Sequence, residues 1–110
     1  MRNMIIVSFC LLVFIALVTR GGGETQIIES YNGKVVLYAT DQCGYCRKAI
    51  NHLNKLDIEY IGYDINKSAI GRREFDQLGG RGVPLMIIDG QLVRGYNPRA
   101  ISQYARKHHR

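Results

Sequence analysis

Short apolar runs alternate with helically spaced apolar stripes along this sequence from Lys34 onward. The β-branched and aromatic run at 34–39 predicts a buried strand. The run at 59–65 predicts a second strand, and a helix from Ser68 to Leu78 should follow it, with Ser68 as its N-cap and a glycine pair after its end. Between the two strands, a first helix is predicted because apolar residues recur on one stripe: Cys46, Ala49, Ile50, Leu53 and Leu56.

The rest of the chain predicts two more strands and a last helix. The strands are expected at 83–88 and 91–94, and they should be antiparallel because Asp89-Gly90 between them is a two-residue hairpin signal. Asn97-Pro98 provides an N-cap and a first-turn proline for the final helix. Its inner face would carry Ala100, Ile101, Tyr104 and Ala105. The order β-α-β-α-β-β-α predicts an α/β fold, a mixed four-stranded sheet with helices on both faces.

An apolar stretch, interrupted only by Ser8, occupies residues 4–18. With Arg2 before it and a glycine-rich break after it, this stretch is typical of a signal peptide or a membrane anchor. A helix of this length spans about 22 Å, less than the roughly 30 Å hydrocarbon core, so both cleavage and retention stay open. We expect residues 1–23 to be this segment plus a flexible linker that reaches Glu24. Residues 24–110 would form a domain outside the cytoplasm, in the periplasm or its equivalent.

Length and charge limit the class of function. At 110 residues the chain suffices for one domain, and its formal net charge of +6 is concentrated at the ends. A nucleic-acid-binding domain would instead spread its basic groups over one face, so we expect the chain to bind no nucleic acid. We also expect it to be a monomer. The C-terminal cluster is interpreted as a solvated helix end, with contact to anionic lipid as the alternative if the anchor is retained: Arg94, Arg99, Arg106, Lys107 and Arg110.

Cys43 and Cys46 are placed where the first predicted strand gives way to the first predicted helix. Residues three apart on a helix face the same way, so the two sulfurs can reach bonding distance. The helix N-terminus favours the Cys43 thiolate, Arg47 and Lys48 add positive charge, and Asp41 opposes it. Such a thiolate can attack a substrate disulfide, after which Cys46 can resolve the mixed disulfide.

Two other interpretations of the pair are weaker. A structural disulfide would close a very short loop and would stabilise the fold little. A zinc site needs four ligands, and the chain after the export segment has one cysteine pair, so we expect no metal. His52, His108 and His109 are interpreted as solvated surface residues. Four tyrosines are interpreted as sheet and core packing: Tyr31, Tyr38, Tyr60 and Tyr63.

A proline at a strand start is unusual, because it cannot donate to a sheet. From its position alone, Pro84 would be a trans proline at a strand edge, the common state of such bonds. With the cysteine pair, however, the chain from 34 to about 105 resembles the glutaredoxin-like branch of the thioredoxin superfamily. CGYC, GVP, IIDG and RGYNP stand at 43–46, 82–84, 87–90 and 94–98, in that family's order and spacing.

This resemblance implies a thioredoxin-like fold and a thiol–disulfide oxidoreductase with Cys43 as nucleophile and Cys46 as resolving thiol. It also implies a cis Pro84 beside them, which would leave the backbone N–H and C=O of Val83 free to pair with an extended substrate. Gly95 would let the chain pass close to the same groove. Tyr45 is the remaining candidate for substrate contact.

Three details bear on the electron donor and on alternatives. Thr40 stands where glutathione-dependent glutaredoxins carry a basic residue, and 95–98 is similar to the G-F-x-P pattern of redoxins reduced by thioredoxin reductase. Gly44 is shared with some iron–sulfur-binding glutaredoxins and with a family of periplasmic disulfide isomerases. The expected partners are an oxidised substrate, which is a disulfide-containing protein or glutathione, and an upstream thiol reductant. We expect that no cofactor is required, and glutathione is the candidate co-substrate. The alternatives are a glutathione- or iron–sulfur-binding protein with Cys43 as ligand, and an exported disulfide oxidant or isomerase.

Overall fold

The computed structural model describes residues 6–11 and 22–108, and residues 6–11 are helical and exposed. The rest of the expected export segment, Gly21 of the expected linker, His109, and Arg110 of the C-terminal basic cluster lie outside the described residues. Within the two described ranges, no helix combines the length and the apolar character needed to cross a bilayer. The boundary between export segment and domain stays a prediction.

Residues 22–108 form four helices and four strands. In chain order these are α1 (Gly22–Ser30), β1 (Val35–Ala39), α2 (Gly44–Lys55), β2 (Tyr60–Asp64), α3 (Ala69–Gln77), β3 (Leu85–Ile88), β4 (Gln91–Arg94) and α4 (Pro98–His108). The strands form one sheet in the order β2-β1-β3-β4. β1 is parallel to β2 and antiparallel to β3, which is antiparallel to β4. The predicted mixed sheet and its hairpin are therefore confirmed.

Alternate residues of the central strands pack on opposite faces of the sheet, as the two-residue period of a strand requires. Leu37 and Met86 face α2 and α4, where they contact Leu53 and Ile101. On the other face, the core against α1 and α3 contains Ile27, Val36, Tyr38, Ile65, Phe75, Leu78, Leu85 and Ile87. With helices on both faces, the predicted layer arrangement is confirmed.

The predicted flexible linker at 21–24 is wrong for residues 22–24, which belong to α1. Glycine is unfavourable in helix interiors, so the sequence carries no local helix signal at this point. Burial of Ile27 against the α3 side of the sheet supplies a tertiary contact that a short helix needs. The globular part thus includes a helix before the first strand that the sequence did not predict.

Two local features explain differences in detail from the predicted elements. β3 begins at Leu85 rather than at 83, because Pro84 has no N–H for the ladder. Gly71 lies inside α3 because a Cβ there would come within 2.6 Å of the Tyr63 Cβ. The predicted cap is confirmed, since Ser68 Oγ accepts the Gly71 N–H at 3.0 Å.

Candidate functional site

A disulfide bond joins Cys43 and Cys46, whose Cα atoms are 5.2 Å apart. Cys43 is the N-cap of α2, and the Cys46 N–H donates to its sulfur over 3.1 Å. The two sulfurs differ in access: Cys46 is 1% exposed, whereas Cys43 is half-buried. Cys43 is therefore the sulfur that an external disulfide can reach.

The segment that leads into β3 lies beside Cys43. The Cys43 sulfur is 3.7 Å from the carbonyl oxygen of Val83, and the Val83–Pro84 peptide bond is cis, as the resemblance implied. Within residues 22–108, Val83 makes no backbone–backbone hydrogen bond. Its N–H and C=O are therefore available to the backbone of an extended ligand.

Gly95 lies directly beside Pro84. Its N–H donates to the Pro84 carbonyl at 2.9 Å, and its φ of +78° lies in the left-handed region that glycine adopts without strain. Together these segments line a groove of about 570 Å³. The lining residues are Gly79, Arg81, Gly82, Val83, Pro84, Arg94 and Gly95.

Two arginines of the groove were not predicted as site residues. The interpretation of Arg94 as part of a solvated helix end is wrong, because it is the last residue of β4 and donates to the Gly79 carbonyl at 2.9 Å. Arg81 is exposed at the groove. The groove is therefore positively charged, and no acidic residue lines it. Local patterns cannot identify these residues as groove residues, because two segments far apart in the chain, 79–84 and 94–95, form the groove.

Tyr45, the remaining candidate for substrate contact, does not line this groove. Its side chain is 63% exposed, and the Lys48 Nζ lies 5.1 Å from the centre of its ring. A cation at this distance is attracted by the face of the ring. The structure thus brings Val83 beside Cys43 and Gly95 beside Pro84. Neither cysteine is among the residues that line the groove, and Tyr45 lies on the surface next to the cysteine pair.

Asp41, whose negative charge is expected to disfavour a thiolate at Cys43, forms an ion pair with Lys67. The Lys67 Nζ lies 2.6 Å from its Oδ2 and 3.9 Å from Asp64 Oδ2. The hydrogen bond from Lys67 and its charge lower the pKa of Asp41, and the same pairing raises the pKa of Lys67. The negative charge two residues before Cys43 is therefore partly neutralised.

The interpretation of His52 as a solvated residue is wrong. His52 is half-buried; its Nδ1 lies 2.9 Å from the Tyr96 hydroxyl, and its Nε2 lies 3.1 Å from Ser102 Oγ. The side of α2 that points away from the cysteine pair faces α4 rather than water. His108 is exposed and lies 3.1 Å from Asp89.

Three tyrosines do more than fill the sheet. The hydroxyls of Tyr31 and Tyr38 donate to Glu74 Oε1 at 2.5 and 2.7 Å, and Tyr31 also shares a 2.9 Å hydrogen bond with Tyr63. Burial, followed by the interaction with Glu74, raises the pKa of both Tyr31 and Tyr38. The network links the turn after α1 with β1, β2 and α3. Glu74 had no sequence signal because α3 exposes several other charged residues.

A metal centre of several protein ligands has no support in the described ranges. Among residues 6–11 and 22–108, no group of three or more His, Cys, Asp or Glu side chains is arranged to hold a metal ion.

The sequence of this chain is similar to those of known proteins. Residues 35–93 match the family model described as Glutaredoxin. An uncharacterized glutaredoxin-like 8.6 kDa protein in the rubredoxin operon of Clostridium pasteurianum is 27% identical over 74 residues, which are 66% of this chain and 99% of that protein.

Solved structures agree with that match. The thioredoxin-like protein BC3987 superposes with a TM-score of 0.59 at 25% identity, over 64% of this chain and 99% of that one. The NrdH-redoxin of Escherichia coli, a glutaredoxin-like protein, gives 0.58 at 14% identity, over 64% and 92% of the two chains. These likenesses confirm the thioredoxin-like fold.

Proposed function

The chain belongs to the glutaredoxin family, and from that membership we propose that it reduces disulfides of proteins or small molecules through Cys43 and Cys46. One observation carries the proposal: an accessible sulfur at a helix start is joined to a buried sulfur one turn later. Paired in this way, the cysteines can hold two electrons as a dithiol and release them as the disulfide.

The reaction begins with Cys43 as nucleophile. Its thiolate attacks one sulfur of the substrate disulfide, the substrate S–S bond breaks, and the departing thiolate takes up a proton. Cys46 then loses its proton and attacks the Cys43 sulfur, which releases the second substrate thiolate. Two electrons pass to the substrate, and the product form of the protein is the Cys43–Cys46 disulfide seen here.

The start of α2 supports the thiolate that this step needs. The Cys46 N–H points at the Cys43 sulfur, and the positive end of the helix dipole is at the same place. Pairing of Asp41 with Lys67 reduces the repulsion that a free carboxylate would exert. These groups favour the charged form of Cys43 over the neutral thiol.

The groove supports an extended substrate beside the sulfur. A peptide strand could exchange hydrogen bonds with the backbone of Val83, next to Pro84. Gly95, which also lines the groove, adds no side chain that would block the peptide. Family membership makes glutathione or disulfide-containing proteins the expected partners. An upstream thiol reductant must restore the dithiol after each turnover, and glutathione is one candidate.

We also propose that the domain works outside the cytoplasm, because residues 4–18 have the composition of an export or anchor segment. After a reductant has opened the Cys43–Cys46 disulfide, the full chain in intact cells should react at these cysteines with a maleimide that cannot cross membranes. If Cys43 and Cys46 become labelled only after the cells are lysed, the proposed location is wrong. The reductase proposal is unaffected by that result.

Activity is tested with the full chain, a peptide disulfide and dithiothreitol as the upstream reductant. We expect the wild type to accelerate reduction and Cys43→Ser to lose this acceleration, while Cys10→Ser serves as the matched control and retains it. Cys10 lies outside the residues that form the groove. Turnover by Cys43→Ser at the wild-type rate would refute the proposal.

A further inference from the structure

His52 connects the helix of the cysteine pair to a wall of the groove. It lies on α2, six residues after Cys46, and its Nδ1 is 2.9 Å from the hydroxyl of Tyr96. The two rings also meet edge to face, with their centres 6.1 Å apart. Its other nitrogen lies 3.1 Å from Ser102 Oγ on α4, so both nitrogens of the imidazole have a partner.

Tyr96 carries this connection to the reacting sulfur. It directly follows Gly95, whose N–H donates to the Pro84 carbonyl at 2.9 Å, and Val83 beside Pro84 has its carbonyl oxygen 3.7 Å from the Cys43 sulfur. The 94–96 segment has no regular secondary structure after Arg94. Gly95 is held by its backbone hydrogen bond to Pro84, and the contact between Tyr96 and His52 joins the next residue to α2.

We propose that His52 is a positioning residue for peptide substrates: by holding Tyr96, it fixes the Gly95 wall of the groove at a set distance from Cys43. This inference rests on the proposed function. His52 touches neither the sulfurs nor the groove lining. It should consequently affect how well a groove-filling substrate binds and leave the sulfur chemistry unchanged.

The test compares two disulfides with the full chain. A peptide disulfide is large enough to occupy the groove, whereas 2-hydroxyethyl disulfide reports on the sulfurs alone. For His52→Ala and for Tyr96→Phe we expect KM for the peptide to rise about fivefold, the factor that loss of one ordinary hydrogen bond gives. The kcat for the peptide, and kcat/KM for the small disulfide, should stay at wild-type values.

Three further variants separate positioning from general damage. The double variant His52→Ala/Tyr96→Phe should be no worse than either single one, because both remove the same hydrogen bond. His52→Asn, whose amide stands close to the place of Nδ1, should restore part of the peptide KM. Tyr104→Phe is the matched control on α4, since it also removes a hydroxyl contact, to the Gly33 carbonyl at 3.4 Å, away from the groove.

Every outcome decides between the alternatives. Three results would each overturn the role of His52. The first is an equal loss of kcat/KM with both disulfides, and the second is an unchanged KM for the peptide in Tyr96→Phe. The third is a double variant whose KM for the peptide rises by the combined effect of the two single variants. Tyr96→Phe keeps the aromatic ring, so the test stands even where His52→Ala does not fold. An inactive wild type would instead refute the proposed function, which is a separate result.

Discussion

The sulfur of Cys43 lies 3.7 Å from the carbonyl oxygen of Val83, a residue 40 positions later in the chain. The pairing of β1 with β3, in which Tyr38 stands opposite Leu85, brings the two together. The Cys43 sulfur and the backbone of Val83 are consequently held next to each other by the same sheet.

Replacing Cys46 with serine should trap the reaction halfway. The Cys43 thiolate can still attack a peptide disulfide, but no second thiol resolves the product, so the mixed disulfide accumulates. Mass spectrometry without reductant should show the protein plus one peptide thiol. Cys43→Ser/Cys46→Ser is the control and should stay unmodified. Absence of an adduct on Cys46→Ser would assign the attack to another group.

Gly95→Ala should impair both stability and substrate use. At φ +78° an alanine is strained by about 1 kcal/mol, and the shift would disturb the hydrogen bond to Pro84. Gly33 has φ +79° and, like Gly95, open space where a Cβ would stand, so Gly33→Ala is a control of equal strain outside the groove. Both should lower the free energy of unfolding in urea, Gly95→Ala by at least as much as Gly33→Ala, and only Gly95→Ala should lower kcat/KM for the peptide disulfide.

Tyr38→Phe should destabilise the domain through Glu74. The buried hydroxyl donates to Glu74 at 2.7 Å, and loss of a hydrogen bond to a charged group costs about 1.5 kcal/mol. Tyr63→Phe is the matched control because its hydroxyl contacts Tyr31 and not Glu74, so it should cost about 0.5 kcal/mol. Urea unfolding at neutral pH measures both, and an equal loss in the two variants would contradict the assigned role of Glu74.

The same network predicts a dependence of stability on alkaline pH. Because folding raises the pKa of Tyr31 and Tyr38, the native state keeps protons that the unfolded chain loses above its ordinary tyrosine pKa of about 10. This stabilisation is fully present below pH 10 and is lost as the pH rises toward the folded values. The free energy of unfolding, measured in urea, should therefore decline less between pH 9 and 11 in Tyr38→Phe than in the wild type.

Lys67→Ala should make Cys43 less reactive. Without Lys67, the Asp41 carboxylate is unpaired two residues from the sulfur and disfavours the thiolate. Both side chains are well exposed, so the slowing of iodoacetamide alkylation at neutral pH should be less than about threefold and should diminish in 1 M salt. Asp41→Asn/Lys67→Ala should react as fast as the wild type. A slow double variant would show that Lys67 acts on something other than Asp41.

Local sequence patterns were sufficient for most of the fold. The spacing of apolar residues over four to twelve positions indicates a strand or a helix, so β1 to β4 and α2 to α4 were predictable. The cysteine pair at a strand–helix junction and the proline before β3 were visible for the same reason. The helix α1 was missed because its glycines oppose a helix locally, and its stability comes from Ile27 against the sheet.

What the residues alone determined is the chemistry: two cysteines one helical turn apart, next to a helix start, can exchange disulfides wherever the helix lies. Only the tertiary structure decided which distant side chains surround them, namely Arg81 and Arg94 at the groove, His52 on Tyr96, and Lys67 on Asp41. These contacts join residues far apart in the chain. They depend on strand register and on how the helices are packed, and the periodicity of one segment does not contain that information.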